Sequence, residues 1–237
     1  MEKTLKIGIL YICTGKYDEF FDQFKDSLDK FLPGTEKTIF IFTDSEKIKD
    51  GTPGQVKIYQ EKLGWPYDTL MRYHMFLTQK DLLLKMDYLF FFNANMIINS
   101  IITEEDILPS ENEELVAVLH SSFVNRRGTF ETRKSSTAYL PENEGEFYYQ
   151  GCLNGGTTEN FMKMCEALRT NIDIDLQNKI IAVWHDESHM NCYMNNKNIK
   201  KLHPGFSYPE FLNMNYEKRI IMIEKQYRPG GTEGYRK

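Results

Sequence analysis

No stretch of this 237-residue chain reaches the ~18 apolar residues that a membrane-crossing helix needs, so no membrane span is expected. Positive charge is not in excess either. Lys and Arg number 29 against 34 Asp and Glu, for a formal charge of −5, and without a basic run nucleic acid is not an expected partner. The four cysteines (Cys13, Cys152, Cys165 and Cys192) show no CxxC spacing. They read as reduced thiols of a cytoplasmic-type compartment and not as a disulfide framework. Met1 to Leu10 runs into a strand-like segment and lacks the charged, apolar and cleavage regions of a signal peptide. There is no internal repeat and no low-complexity segment. What remains is 41% hydrophobic and 27% charged, ordinary globular composition suited to one large domain or two fused lobes.

Short apolar runs dominate the first half. Lys6 to Cys13, Thr38 to Phe42, Val56 to Tyr59, Tyr88 to Phe92 and Leu115 to Leu119 are too short for buried helices and read as buried strands. Between them, Tyr17, Phe20, Phe21, Phe24, Leu28, Phe31 and Leu32 recur at three- and four-residue spacing, which predicts an amphipathic helix stopped by Pro33-Gly34. A second helix is expected from Pro66 to Gln79. Strands alternating with helices predict an α/β fold with a mainly parallel sheet covered on both faces. Residues 120–147 are polar, with little periodicity, and read as a long functional loop or short hairpins. Gly155-Gly156 precedes a helix from about Thr157 to Leu168, and another is expected over His185 to Asn195. The Pro/Gly-bearing tail from Arg228 to Lys237 is expected to be mobile until a ligand orders it.

Three motifs bear on chemistry. Asn93-Ala94-Asn95 follows the YLFFF strand directly, and ligands of open α/β sheets gather at the carboxyl ends of strands. A polar turn is the plainer reading. Trp184-His185-Asp186-Glu187-Ser188-His189 places two histidines one turn apart, as in a zinc protease. There the base Glu follows the first His, whereas Glu187 lies about 200° round the helix from His185. A capped helix start with acidic residues at its positive end explains the motif better. Asp173-Ile174-Asp175 spells a possible cation motif, but no strand precedes it, and it reads as a solvated helix edge. Tyr148-Tyr149, Met162 and Met164 read as core.

Taken together, the blocks TGKY at Thr14 to Tyr17, MDYLFFFNANM at Met86 to Met96, AYLPENEGEFYYQG at Ala138 to Gly151 and AVWHDESHMN at Ala182 to Asn191 resemble glycosyltransferase family 6. This family includes the histo-blood group A and B transferases and α-1,3-galactosyltransferase. The resemblance runs from Ile7 to about Arg228 and implies the bare catalytic domain of a bacterial member, without membrane anchor or stem. It implies a GT-A fold, with a Rossmann-like nucleotide-sugar half (about 1–119), an acceptor half (about 120–221) and a tail (222–237).

By position, the resemblance implies that Ile12, Cys13, Thr14 and Tyr17 border the uracil and ribose and that Arg72 lies near the donor. Gln150 and Cys152 help choose the donor sugar, and His185 and Asp186 touch it. His120, Trp184 and Glu187 contact the acceptor, and Lys225 and Tyr227 close over the pyrophosphate. The family's second acceptor-side carboxylate falls near Pro209, with Glu210 beside it as a substitute. Asn93 and Asn95 stand where vertebrate members carry the two carboxylates that hold manganese. Amides bind divalent ions far more weakly but can donate hydrogen bonds to a diphosphate. The expectation is therefore catalysis without a metal cofactor, the leaving UDP being stabilised by Lys225, Arg228, Arg72 and amide donors. The implied reaction is retaining α-1,3 transfer of N-acetylgalactosamine, with galactose as the alternative, from UDP to the galactose of a fucosylated H-type acceptor such as 2'-fucosyllactose. Glu187 is the central carboxylate, as a covalent nucleophile or as the stabiliser of an oxocarbenium-like state. The alternative from another class is a sugar-nucleotide- or glycan-binding protein without catalysis.

Overall fold

The computed structural model describes residues 4–236; Met1–Lys3 and Lys237, which the expected catalytic span includes, lie outside the described residues. Among the described residues ten strands occur: β1 (Lys6–Ile12), β2 (Glu36–Thr43), β3 (Gln55–Tyr59), β4 (Tyr88–Asn93), β5 (Met96–Ile98), β6 (Leu115–Leu119), β7 (Tyr149–Thr157), β8 (Ile199–Leu202), β9 (Tyr208–Pro209) and β10 (Ile220–Met222). Seven form one sheet in the order β3-β2-β1-β4-β7-β6-β8, and β5-β10-β9 form a smaller one. Within the large sheet only β7 runs against its neighbours, pairing antiparallel with both β4 and β6. The mainly parallel α/β architecture follows from the apolar runs.

Strict alternation along those runs sorts the side chains onto two faces. Ile7, Ile9 and Tyr11, Ile39 and Ile41, Phe90 and Phe92 join one core. Their neighbours Leu10, Phe40, Phe42, Leu89 and Phe91 join the other. The first face is covered by α1 (Phe21–Ser27), which brings Phe21 and Phe24. After the short helix α2 (Tyr67–Leu70), the second face is covered by α3 (Arg72–Leu77). The remaining helices are α4 (Lys80–Leu83), α5 (Glu104–Ile107), the 20-residue α6 (Thr158–Gln177), α7 (Asp186–Met194) and α8 (Gly231–Arg236). α3 packs on α6, with Phe76 6.2 Å from Phe161 between ring centroids.

Several expectations need correction. The predicted helix over Tyr17–Leu32 is divided into a 3-10 turn at Gly15–Phe20, α1, and a second 3-10 turn at Leu28–Lys30. The one over Pro66–Gln79 divides at Met71 into α2 and α3. β7 is absent from the sequence reading because its glycines resemble a turn. They belong to a strand because a Cβ at Gly155 would stand 2.3 Å from Phe90 Cδ1 and 2.6 Å from the Leu89 carbonyl. Asp175, expected in solvent, is 1% exposed and accepts from Ser136 Oγ (2.5 Å) and the Thr137 N–H (2.7 Å). Met162 and Met164 are core residues. Residues Gly231–Arg236 of the tail form α8, with Tyr235 an apolar anchor within it. That ring is buried against Phe20 and Tyr17 and its hydroxyl donates to Glu19.

Candidate active site

The reversed strand creates the site. Ile12 and Asn93 pair at the carboxyl ends of β1 and β4, the edge where ligands of such sheets bind. Because β7 runs the other way, Leu153 lies opposite Phe92 and β7's first residues, Gln150 to Cys152, reach the same edge. A cavity of about 280 Å³ opens there, closed by the start of α7 and by α8. Ile12, Thr14 and Tyr17 line one end; Gln150, Cys152 and Glu187 line the other wall.

Glu187 sits in the first turn of α7. Its Oε1 accepts the Tyr148 hydroxyl at 2.8 Å and its Oε2 accepts the Gly151 N–H at 2.6 Å. Burial raises its pKa to about 7, against the lowering effect of those two donors. The carboxylate is thus aimed, hydrogen-bonded and poised near neutrality, a combination that marks functional groups. His185, which starts the helix, has φ 53°, ψ −125°, a left-handed conformation uncommon for a residue with a Cβ. Its ring stands edge-on to Trp65 at 4.6 Å, and burial lowers its pKa.

Arg72 braces this region. Its Nη1 donates to the Gly151 carbonyl at 2.6 Å, its Nε lies 3.1 Å from Asp186 Oδ2, and its guanidinium stacks 4.2 Å over Phe91. The Gly151 residue is therefore gripped on its N–H by Glu187 and on its carbonyl by Arg72. Asp186 is 4% exposed, and burial raises its pKa while Arg72 opposes the shift.

Asn93 faces the cavity from the end of β4. Asn95 is buried; its Nδ2 donates to the Ile223 carbonyl at 2.6 Å, while its Oδ1 has no partner. Asn93 and Asn95 thus offer neutral amide oxygens, whereas a divalent ion favours charged carboxylates. Among the described residues there is no group of three or more His, Cys, Asp or Glu that could hold a metal. Positive charge comes instead from the tail. Lys225 Nζ lies 3.1 Å from the Tyr17 hydroxyl, and Arg236, stacked 4.0 Å over Trp65, also lines the cavity.

Of the residues singled out in the sequence, Ile12, Thr14, Tyr17, Arg72, Asn93 and Asn95 share this cavity. So do Gln150, Cys152, Trp184, His185, Asp186, Glu187 and Lys225. Four do not line it. Cys13 is fully buried in the core, because strand alternation turns its side chain inward. His120 lies outside, with Nδ1 accepting from the Ser122 N–H and its ring 5.9 Å from Tyr148. Tyr227 is 65% exposed with its ring edge-on to Phe211, and Arg228 pairs with Glu210 at 3.2 Å. Sequence reasoning missed Tyr148 and Arg236. Counting back by two along the strand from Cys152 and Gln150 would have found the tyrosine; nothing in a glycine-rich tail singles out the arginine.

A model of glycosyltransferase family 6 matches residues 1–229. The O-antigen biosynthesis glycosyltransferase WbnI of Escherichia coli is 38% identical over 225 residues, 93% of this chain and 95% of that protein. Globoside alpha-1,3-N-acetylgalactosaminyltransferase 1 of Homo sapiens is 30% identical over 216 residues, 85% of this chain. The histo-blood group ABO system transferase 1 of Rattus norvegicus is 27% identical over 219 residues, 87% of this chain. The matches span 60% and 62% of these two longer vertebrate proteins.

Proposed function

The chain belongs to glycosyltransferase family 6, and from that premise we propose that it is a retaining α-1,3-glycosyltransferase working without a metal ion. The donor in this reading is UDP-N-acetylgalactosamine, with UDP-galactose the poorer substrate. The acceptor is the galactose of a fucosylated H-type oligosaccharide. The halves would be those of a GT-A fold: 1–119 for the nucleotide sugar, 120–221 for the acceptor, and 222–237 closing over the donor. Among the described residues no helix is long and apolar enough to cross a membrane, and four free thiols suit a reducing compartment such as the cytoplasm.

The observation that carries the reading is Glu187, held at the cavity wall by Tyr148 and Gly151. The uracil and ribose would lie along Ile12, Thr14 and Tyr17, leaving the sugar between Gln150, Asp186 and Glu187. When the bond from the anomeric carbon to UDP breaks, positive charge grows on that carbon, and an ionised Glu187 beside it lowers the barrier. Retention follows by either of two routes. Glu187 bonds to the carbon and the acceptor hydroxyl then displaces it, or the acceptor enters from the leaving-group face while Glu187 stabilises the cation. The departing diphosphate would meet Lys225, Arg236 and Arg72, with the Asn93 amide as a further donor. The name of the human relative, an alpha-1,3-N-acetylgalactosaminyltransferase, supports the donor and linkage.

The test is transfer from UDP-N-acetylgalactosamine and from UDP-galactose to 2'-fucosyllactose, with excess chelator and with manganese. The expected result is transfer that survives the chelator and favours the acetamido donor. Activity lost in chelator and restored by manganese would overturn the metal-free reading. UDP binding without transfer under any condition would favour a binding protein.

A further inference from the structure

Gln150 and Cys152 lie two residues apart on β7, flanking the Gly151 N–H that holds Glu187. Behind them a 3-10 turn, Pro204–Ser207, leads into β9. Ser207 is 1% exposed, so its hydroxyl has no water to turn to. Its Oγ donates to Gln150 Oε1 at 2.9 Å, so the serine hydrogen is directed at the amide carbonyl.

The direction of that hydrogen bond decides what Gln150 offers the cavity. With Oε1 committed to Ser207, the amide nitrogen has, among the described residues, one hydrogen-bond partner, the Met222 sulfur at 4.0 Å. Sulfur is a weak acceptor, so the N–H groups remain available to a ligand. Reversing the amide would set its oxygen against that same sulfur, which has no hydrogen to give. The hydrogen donated by Ser207 to the carbonyl oxygen therefore favours the observed orientation.

We infer that Ser207 is a positioning residue that fixes the polarity of the Gln150 amide, and through it the preference for a donor sugar bearing an acetamido group over one bearing a hydroxyl. The acetamido carbonyl is a pure acceptor that reaches further from the ring than a hydroxyl, and it suits a presented amide donor. A site built to hydrogen-bond a substrate group discriminates against the analogue that lacks it. The inference rests on the donor reading given above.

The test measures kcat and KM for acceptor-independent hydrolysis of both UDP-sugars, and for transfer to 2'-fucosyllactose. It compares the wild type, Ser207→Ala, Ser207→Thr and Gln150→Leu, with UDP affinity read by calorimetry. In Ser207→Ala the ratio of kcat/KM for the acetamido donor to that for the galactose donor is expected to fall about tenfold. UDP affinity should be unchanged and Ser207→Thr should restore the ratio. On the Gln150→Leu background the alanine substitution should add nothing, because the two act as one unit. An unchanged ratio in Ser207→Ala, or an equal loss with both donors, overturns the inference. A wild type that prefers UDP-galactose overturns the donor reading by itself. In that case a tenfold change of ratio on removing the hydroxyl still supports Ser207 as the selector of the sugar, and no change overturns it.

Discussion

Glu187 gathers two effects that pull its acidity in opposite directions. Burial raises its pKa to about 7, and the Tyr148 hydroxyl and Gly151 N–H lower it by stabilising the anion. The ionised form is the one that can meet a developing cation, so activity should rise with pH through about 7. Tyr148→Phe removes one stabilising donor. The acid limb is then expected to move to higher pH and turnover at pH 7 to fall about tenfold, equivalent to ~1.4 kcal/mol. Matching pH–rate profiles for the two proteins check this, and superimposable profiles would show that the tyrosine merely packs. Glu187 was visible in the sequence because it stands in a dense polar block, Trp184 to His189. Tyr148 was not, because a tyrosine doublet reads as core; the ring is indeed buried, and only the hydroxyl reaches the site.

α7 carries Glu187, but its position is set from outside the helix. Glu131 is 2% exposed. It accepts two hydrogen bonds from the Arg133 side chain at 2.9 and 2.6 Å, and the Val183 N–H at 2.9 Å. Arg133 also donates to the Ile181 carbonyl at 2.6 Å. Together they tie the polar segment after β6 to residues 181–183, immediately before the left-handed His185. The Arg133 hydrogen bonds hold the Glu131 pKa down to about 2. A carboxylate depressed on folding contributes stability above its unfolded value, and that contribution is lost as pH falls toward its folded one. Glu131→Gln is therefore expected to lower the melting temperature by about 5 °C at pH 7, from the loss of ~2 kcal/mol of charged hydrogen bonding. The gap to wild type should shrink between about pH 4.5 and 2 in thermal unfolding scans; a gap that is constant with pH would contradict the charge's role. Residues 120–147 carry little periodicity, so the brace they supply was not legible, although the start of α7 was.

Across the whole molecule, the strands most readily read are those buried on both faces, where an unbroken apolar run such as Tyr88–Phe92 leaves little choice; Val56–Tyr59, expected to be buried, is instead the partly exposed edge strand β3, with Tyr59 77% exposed. β7 escaped because Gly151, Gly155 and Gly156 mimic a turn, and its reversed direction is a tertiary fact that brings Gln150 and Cys152 to the carboxyl edge of β4. The fold-back of the tail was not legible because it depends on one distant pocket for Tyr235. That fold-back carries Arg236 into the cavity, while Arg228, nearer in sequence to Lys225, is held away by Glu210. Glu187 is the group around which sheet edge, brace and tail are assembled. The most direct measurement compares transfer by the wild type and by Glu187→Gln, with UDP affinity determined on both. An unchanged UDP dissociation constant and a fall in turnover of at least about 100-fold are expected; turnover near that of the wild type would remove Glu187 from the central role.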